Sequence, residues 1–214
     1  MDSRARREVI RTVTAPIEVE GCAGLRARVC PEPAAVWEAL ETAEGARLGP
    51  PFWAHAWPGG VALAQWVTQR PELVRGKRVL DFASGGGVSA IAAVRAGAAS
   101  VLATELDPWA REAIFENAAL NQVSLEVTGA DVTSRDDGWD VVLVGDVFYE
   151  AEPSRVIFAW LSRLRARGAA VWIGDPGRSV LPQAALRCVH VSALAAVPAW
   201  DSVLDRPARV WELA

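Results

Sequence analysis

The sequence predicts an α/β protein: a mostly parallel sheet of seven strands between two helical layers, closed by an antiparallel strand at the C-terminal end. Three observations predict it. From Gly76 onward, short apolar runs alternate with segments of helical period, the rhythm of βαβ units in a parallel sheet. The run Val141-Val142-Leu143-Val144 is apolar at every position, as a strand covered on both faces must be. Between the first such strand and its helix lies a short turn rich in small residues, Ser84 to Gly87.

Taken in order, residues 9–30 hold β-like pieces around Glu20-Gly21 and Ala23-Gly24, read as a hairpin. A helix is expected over 33–44, where Pro33 suits a first turn and Val36, Trp37 and Leu40 share a face. The segment from Leu48 to Gly60 is irregular. A helix then starts near Pro58 and stops before Pro71. The regular part follows: strand 78–83, turn 84–87, helix 88–96 closed by Gly97, strand 100–104, and a helix from Pro108 to about Leu120 with Asn121 as its cap. Strands are expected at 124–128, 139–145 and 169–173. A helix opened by Pro153 should carry Val156, Trp160 and Leu164 on one buried face. Two tail strands, 187–193 and 208–213, lack a clear helix between them and are expected to pair antiparallel. The chain divides into an N-terminal extension, 1–57, whose hairpin and helix cover the site, and a main domain, 58–214.

Composition excludes several classes. The 214 residues carry a net charge of −4 with no basic block, which argues against a nucleic-acid partner. Lys77 is the one lysine beside 21 arginines. No run of 18 apolar residues suggests a membrane span. The start has four arginines but no apolar stretch behind them, which argues against a secretory signal. Acidic Asp2 and Glu8, with no long amphipathic leader, argue against a presequence. The expected compartment is the bacterial cytoplasm, or the mitochondrial matrix in a eukaryote. Cys22, Cys30 and Cys188 lack metal or disulfide spacing, so no metal is expected and the thiols read as reduced. The chain is expected to be a monomer.

A doubly wound sheet binds its ligand beyond the carboxyl ends of its strands, where strand order reverses. The first strand leads into VLDFASGGG, in which small residues admit a ligand to the backbone and the next helix offers free N–H groups. Gly85-x-Gly87-x-x-Ala90 also fits a dinucleotide fingerprint, but Asp81 inside the strand end would repel a pyrophosphate. Glu105, after the second strand, can accept from both hydroxyls of a ribose. Asp131, after the third, either accepts from an adenine amine or caps its turn. Asp107, just before Pro108, reads as a helix cap. The fourth strand ends GDVFYE, with Asp146 and Tyr149 three residues apart at the switch point.

The segments PFWAHAWPGG, VRGKRVLDFASGGG, GDVFYE and IGDPGR occur in this order between Pro51 and Arg178. Together they resemble the electron transfer flavoprotein β-subunit lysine methyltransferase family. That resemblance implies a three-layer Rossmann-like seven-strand sheet, S-adenosyl-L-methionine as cofactor, and lysines of the flavoprotein β subunit as target. It implies a cofactor site of Trp57, Asp81, Ala83, Ser84, Gly85, Gly87, Glu105, Leu106, Asp131, Val132 and Asp146, with Asp81 near the cofactor's ammonium group. Asp146, Tyr149 and Phe148 are the expected catalytic set: the carboxylate positions the amine and aromatic faces surround a methylated ammonium. Ala83 departs from the glycine that methyltransferases often have there. Trp57 either packs on the methionine end of the cofactor or is a core residue. His55 reads as an exposed loop residue, with catalysis the alternative, and Asp175 with Arg178 as a turn closed by an ion pair, with contact between Arg178 and an acidic substrate or the cofactor carboxylate the alternative. Methylation of another protein or a small molecule, a non-catalytic cofactor-binding module, and a nicotinamide-dependent dehydrogenase are the competing readings.

Overall fold

The computed structural model describes residues 1–30, 32–192 and 207–213. An N-terminal layer comes first: α1 (Ser3–Val13), a hairpin of β1 (Ala15–Glu18) and β2 (Arg26–Val29), and α2 (Pro33–Glu44). Then follow α3 (Pro58–Gln69), β3 (Arg78–Phe82), α4 (Val88–Arg95), β4 (Ser100–Thr104), α5 (Pro108–Leu120), β5 (Glu126–Thr128), β6 (Val141–Gly145), α6 (Ala151–Arg167), β7 (Ala170–Asp175), β8 (Leu186–Val191) and β9 (Arg209–Leu213). The sheet order is β5-β4-β3-β6-β7-β9-β8. β3 to β7 are parallel, and β9 inserts antiparallel between β7 and β8. The order reverses between β3 and β6, so the loops after these two strands open on one crevice.

Two apolar cores flank the sheet. One joins α3 and α4 to one face through Leu63, Trp66, Val67, Ala90, Leu143 and Trp172. The other packs α6 on the opposite face through Leu80, Val142, Val144, Trp160, Leu161 and Leu164. The successive residues of β6 thus face both cores, which is why its sequence shows no alternation.

The structure corrects two expectations. Val156 is exposed; the buried stripe of α6 runs through Ser154, Trp160, Leu161 and Leu164, and at about 100° per residue this leaves Val156 on its edge, facing solvent. The start of the chain, where no element is expected before residue 9, forms α1. Asp2 caps it by accepting from the Ala5 N–H, and Ile10 is fully buried. Arg7 pairs with Glu112 and Arg11 with Glu116, both on α5. The single buried apolar residue and many arginines of α1 hid this helix from a periodicity reading. Ala193, expected to end β8, lies outside the described residues.

The hairpin is tied down by side chains from α5. Asn121 accepts from the Arg26 N–H and donates to its carbonyl; Asn117, one turn earlier, accepts from the Arg28 N–H. Spaced four residues apart on one helix face, the two amides take the place of a neighbouring strand for β2. Asn117 also donates to the Gly86 carbonyl, at 2.8 Å. One buried amide therefore fastens both the hairpin and the glycine-rich turn.

Candidate functional site

A cavity of about 670 Å³ opens at the carboxyl ends of β3, β4 and β6, within the range of small-molecule sites. Its floor is formed by Phe82, Ala83 and Gly85 after β3, Glu105 to Asp107 after β4, and Gly145 to Val147 after β6. Arg178, after β7, closes one side. The N-terminal layer supplies the roof through Leu40, Leu48, Pro50 to Trp53 and Trp57. Phe52, Leu106 and Tyr149 stand exposed at the rim.

The turn after β3 is sharply bent. Ala83, Gly85 and Gly87 all have positive φ, 52°, 53° and 78°. A Cβ on Gly85 would meet nothing within 4 Å, so the backbone there is bare toward the cavity. Ala83, however, holds a left-handed conformation that costs a residue with a Cβ roughly 1–2 kcal/mol. Ala83→Gly should stabilise the fold by about 1 kcal/mol after the extra chain entropy of glycine is counted, or roughly 2–4 °C in Tm. A lower Tm in calorimetry would contradict this.

Asp81 is buried beneath that turn. Its two oxygens accept from Ser89 Oγ at 2.7 Å and the Ala90 N–H at 3.1 Å, which pins the start of α4 to β3. Burial pushes its carboxyl up to about 6. Its folded form thus holds a proton more tightly than the unfolded chain. Its contribution to stability is full below about pH 4 and is lost as pH rises to about 6. Asn can serve both partners without ionising. The Tm of Asp81→Asn relative to the native chain should therefore rise from about pH 4 to 6.5 and level off above. A pH-independent difference would remove the carboxylate from this titration.

Glu105 lies at the cavity edge of β4. Its oxygens accept from the Gly85 N–H at 3.0 Å and the Asp107 N–H at 3.2 Å, and burial raises its pKa. Each oxygen keeps capacity to accept from a ligand hydroxyl. Asp107 caps α5 by accepting from the Trp109 N–H.

Asp146 is the most constrained of the lining residues. Its φ is 56°, the sharp exit from β6 at the switch point. Oδ1 accepts from Arg178 Nη1 at 2.8 Å and Oδ2 from the Gly60 N–H at 3.0 Å. Burial pushes its carboxyl up to about 6, against the opposing pull of Arg178. Burial works against the Arg178 charge in turn, but Asp146 and Asp175 outweigh it and raise its pKa. Gly60 lies in the first turn of α3, and the WPGG sequence explains how that helix reaches the carboxylate. A Cβ on Gly59 would penetrate the Gly174 carbonyl and stand 2.5 Å from Asp146 Oδ2; one on Gly174 would strike Gly59. Backbone meets backbone here, so α3 can present its N-terminal N–H groups to an anion at the end of β6.

Of the sequence-predicted residues, Trp57, Ala83, Gly85, Glu105, Leu106, Asp146 and Tyr149 line the cavity together. Phe148 and Val132 do not and are corrected: both are fully buried in the core beneath α6. The left-handed turn at Asp146 sends Phe148 inward and Tyr149 outward. Asp81, Ser84 and Gly87 lie behind the turn rather than on the cavity wall. Ser84 Oγ donates to the Asp81 carbonyl. Asp131 is exposed and accepts from the backbone and hydroxyl of Thr133, which hold its pKa down; this is the turn-capping alternative. Trp57 Nε1 donates to the Phe52 carbonyl, and its ring packs edge-on against Phe52 and His55. His55 is half-buried, not exposed, and burial lowers its pKa. Sequence reasoning missed Phe52, Leu40 and Leu48. No spacing marks them, because tertiary folding of the irregular segment brings them to the roof. Arg178 pairs with Asp175 as expected and with Asp146 besides.

The lining carries Glu105, Asp107, Asp146 and Glu150 against Arg178. Such a cavity suits a ligand with a cationic centre and sugar hydroxyls, which is the chemistry of S-adenosylmethionine. Among the described residues no group of three or more His, Cys, Asp or Glu could hold a metal ion. No helix among them is long and apolar enough to cross a membrane.

The strand order, the bent turn after β3 and the acids at the strand ends define the fold of the seven-strand S-adenosylmethionine-dependent methyltransferases. Solved structures agree. The tRNA (uracil-54, C5)-methyltransferase of Pyrococcus abyssi superposes with a TM-score of 0.59 at 16% identity, covering 94% of this chain and 44% of that one. Ribosomal protein L11 methylase from Lactobacillus delbrueckii subsp. bulgaricus does so with a TM-score of 0.50 at 20% identity, over 70% of this chain and 75% of that one. The profile of the ribosomal protein L11 methyltransferase family (PrmA) matches residues 64–145.

In sequence, the chain is similar to the electron transfer flavoprotein β-subunit lysine methyltransferase of Xenopus laevis, 44% identical over 134 residues, 61% of this chain and 54% of that protein. The human protein of the same name is 41% identical over 134 residues, 60% of this chain and 50% of its own. The resemblance read from the four motifs is thereby borne out. The chain spans about half the length of the curated relatives it matches.

Proposed function

We propose that this protein is a protein-lysine N-methyltransferase that uses S-adenosyl-L-methionine and acts on the electron transfer flavoprotein β subunit. The observation that carries the reading is the cavity at the switch point. There a buried, doubly hydrogen-bonded Asp146 shares the lining with Tyr149 at an open, aromatic rim. The similarity to relatives of that name supports the substrate.

The cofactor, when bound, supplies an electrophilic methyl on a sulfonium. Trp57, Ala83, Gly85, Glu105 and Leu106 would hold it on the cavity floor and roof, and Asp81 would act from beneath by fixing the turn. Residues 1–57 would serve as the cover and 58–214 as the transferase domain. A substrate lysine enters past Phe52 and Tyr149. It must shed its proton, since its ordinary pKa is about 10.4; an apolar roof and the nearby sulfonium favour the neutral amine. Asp146 accepts a hydrogen bond from that amine and aligns its lone pair with the methyl. Even with its pKa raised to about 6, the carboxylate is a far weaker base than an amine of ordinary pKa about 10.4, so its work is orientation. The three free cysteines fit a reducing compartment, bacterial cytoplasm or mitochondrial matrix.

The test is transfer of labelled methyl from S-adenosylmethionine to purified electron transfer flavoprotein. Label on β-subunit lysines supports the reading. Cofactor binding without label there, but with label on other proteins of a cell extract, would replace the substrate and keep the reaction class.

A further inference from the structure

The end of the cavity beyond Asp146 holds a buried ion-pair chain. Asp175 accepts through Oδ1 from the backbone N–H groups of Gly177 and Arg178, at 2.6 and 2.8 Å. Its Oδ2 accepts from Arg178 Nη1 at 3.0 Å, and the same Nη1 reaches Asp146 Oδ1. The side chains of Asp175, Arg178 and Asp146 are 0%, 7% and 8% exposed. The strand ends they connect are already joined by main chain: β6 pairs with β7 up to Gly145 and Gly174, and the Asp146 N–H donates to the Gly174 carbonyl at 2.9 Å. A buried ion pair rarely stabilises a fold more than apolar residues of the same volume would.

We propose that Arg178 is a positioning residue for methyl transfer: it holds the Asp146 carboxylate in one orientation with its charge partly neutralised, so that the carboxylate aligns the substrate amine without keeping it protonated. This rests on the lysine methyltransferase reading. Among the described residues, the Arg178 guanidinium is shared by the Asp146 and Asp175 carboxylates at this end of the cavity. Among the described residues, the other titratable groups on the lining are Glu105 and Asp107 after β4, and Tyr149 and Glu150 after β6, and none of them carries a positive charge. Arg178 is therefore what stops this wall from stabilising an ammonium at the expense of the reactive amine. The backbone grip of Asp175 and the Gly60 N–H fix the arrangement from both ends.

The experiment measures kcat and KM for the flavoprotein across pH in the full chain, with cofactor affinity measured separately by calorimetry. Arg178→Lys keeps the charge and loses the planar reach. It should lower kcat tenfold or more, leave KM within twofold, and move the acid limb of the profile up by ~1 pH unit. The double variant Asp175→Asn with Arg178→Met removes the ion pair as a unit and should show the same kcat loss. If either variant binds cofactor normally and keeps both kcat within twofold and the native pH profile, Arg178 only fastens the loop and the inference is overturned. Loss of fold in both variants overturns it as well. An inactive native protein would instead sink the functional reading itself.

Discussion

Asp146→Asn should lower kcat for lysine methylation by about a hundredfold, the scale expected when a reacting group loses its orientation. Asparagine is nearly isosteric and its carbonyl can still accept from the Gly60 N–H or from Arg178, though not from both through separate oxygens. Cofactor affinity, read by calorimetry, should change much less than kcat. The variant keeps the pair between Arg178 and Asp175, so its Tm should fall modestly rather than collapse. Radiolabel transfer at saturating cofactor measures the effect. Activity within threefold of the native protein would place the alignment of the amine elsewhere, with Tyr149 the first residue to examine.

Gly59→Ala should lower Tm by about 6–12 °C, from a cost of at least ~3 kcal/mol. The added methyl would enter the Gly174 carbonyl and crowd Asp146 Oδ2, and backbone cannot yield as a side chain does. Gly60→Ala, one residue later, is the internal control. A Cβ there meets nothing within 4 Å, and alanine in place of glycine in a helix is worth up to about 1 kcal/mol. Two adjacent glycines should thus respond with opposite sign in thermal unfolding. Equal responses would mean that α3 can lift from the ends of β6 and β7 without loss.

Much of this architecture was legible in the sequence because parallel strands are buried on both faces and announce themselves as apolar runs. The bounds of α2 and β4 agree with expectation to the residue, and α3 and α5 start where Pro58 and Pro108 place them. The helix α1 was not legible: what holds it is distant in sequence, Ile10 buried against α5 residues and arginines paired with Glu112 and Glu116, more than 100 residues away. For the site, a strand end could be located but the direction of its side chains could not. Phe148 and Tyr149 are neighbours in sequence, and only the left-handed Asp146 decides which one turns inward. The bond between Arg178 and Asp146 likewise depends on β6 and β7 lying side by side in the sheet. The double glycine of WPGG had a physical signal, close approach, but its partner Gly174 is visible only in three dimensions.

Asn117 has a consequence for how the protein comes apart. Its carboxamide serves β2 through one atom and the turn after β3 through the other, so neither can loosen without leaving a buried polar group unsatisfied, at a cost of about 1–3 kcal/mol. The N-terminal layer and the sheet thus share one melting unit, whatever their separation along the chain. A single calorimetric transition is expected for the native protein. In Asn117→Ala a minor, earlier transition should appear as the hairpin comes free. The cover of the cavity is in this sense part of its floor, and evolution cannot alter one without renegotiating the other.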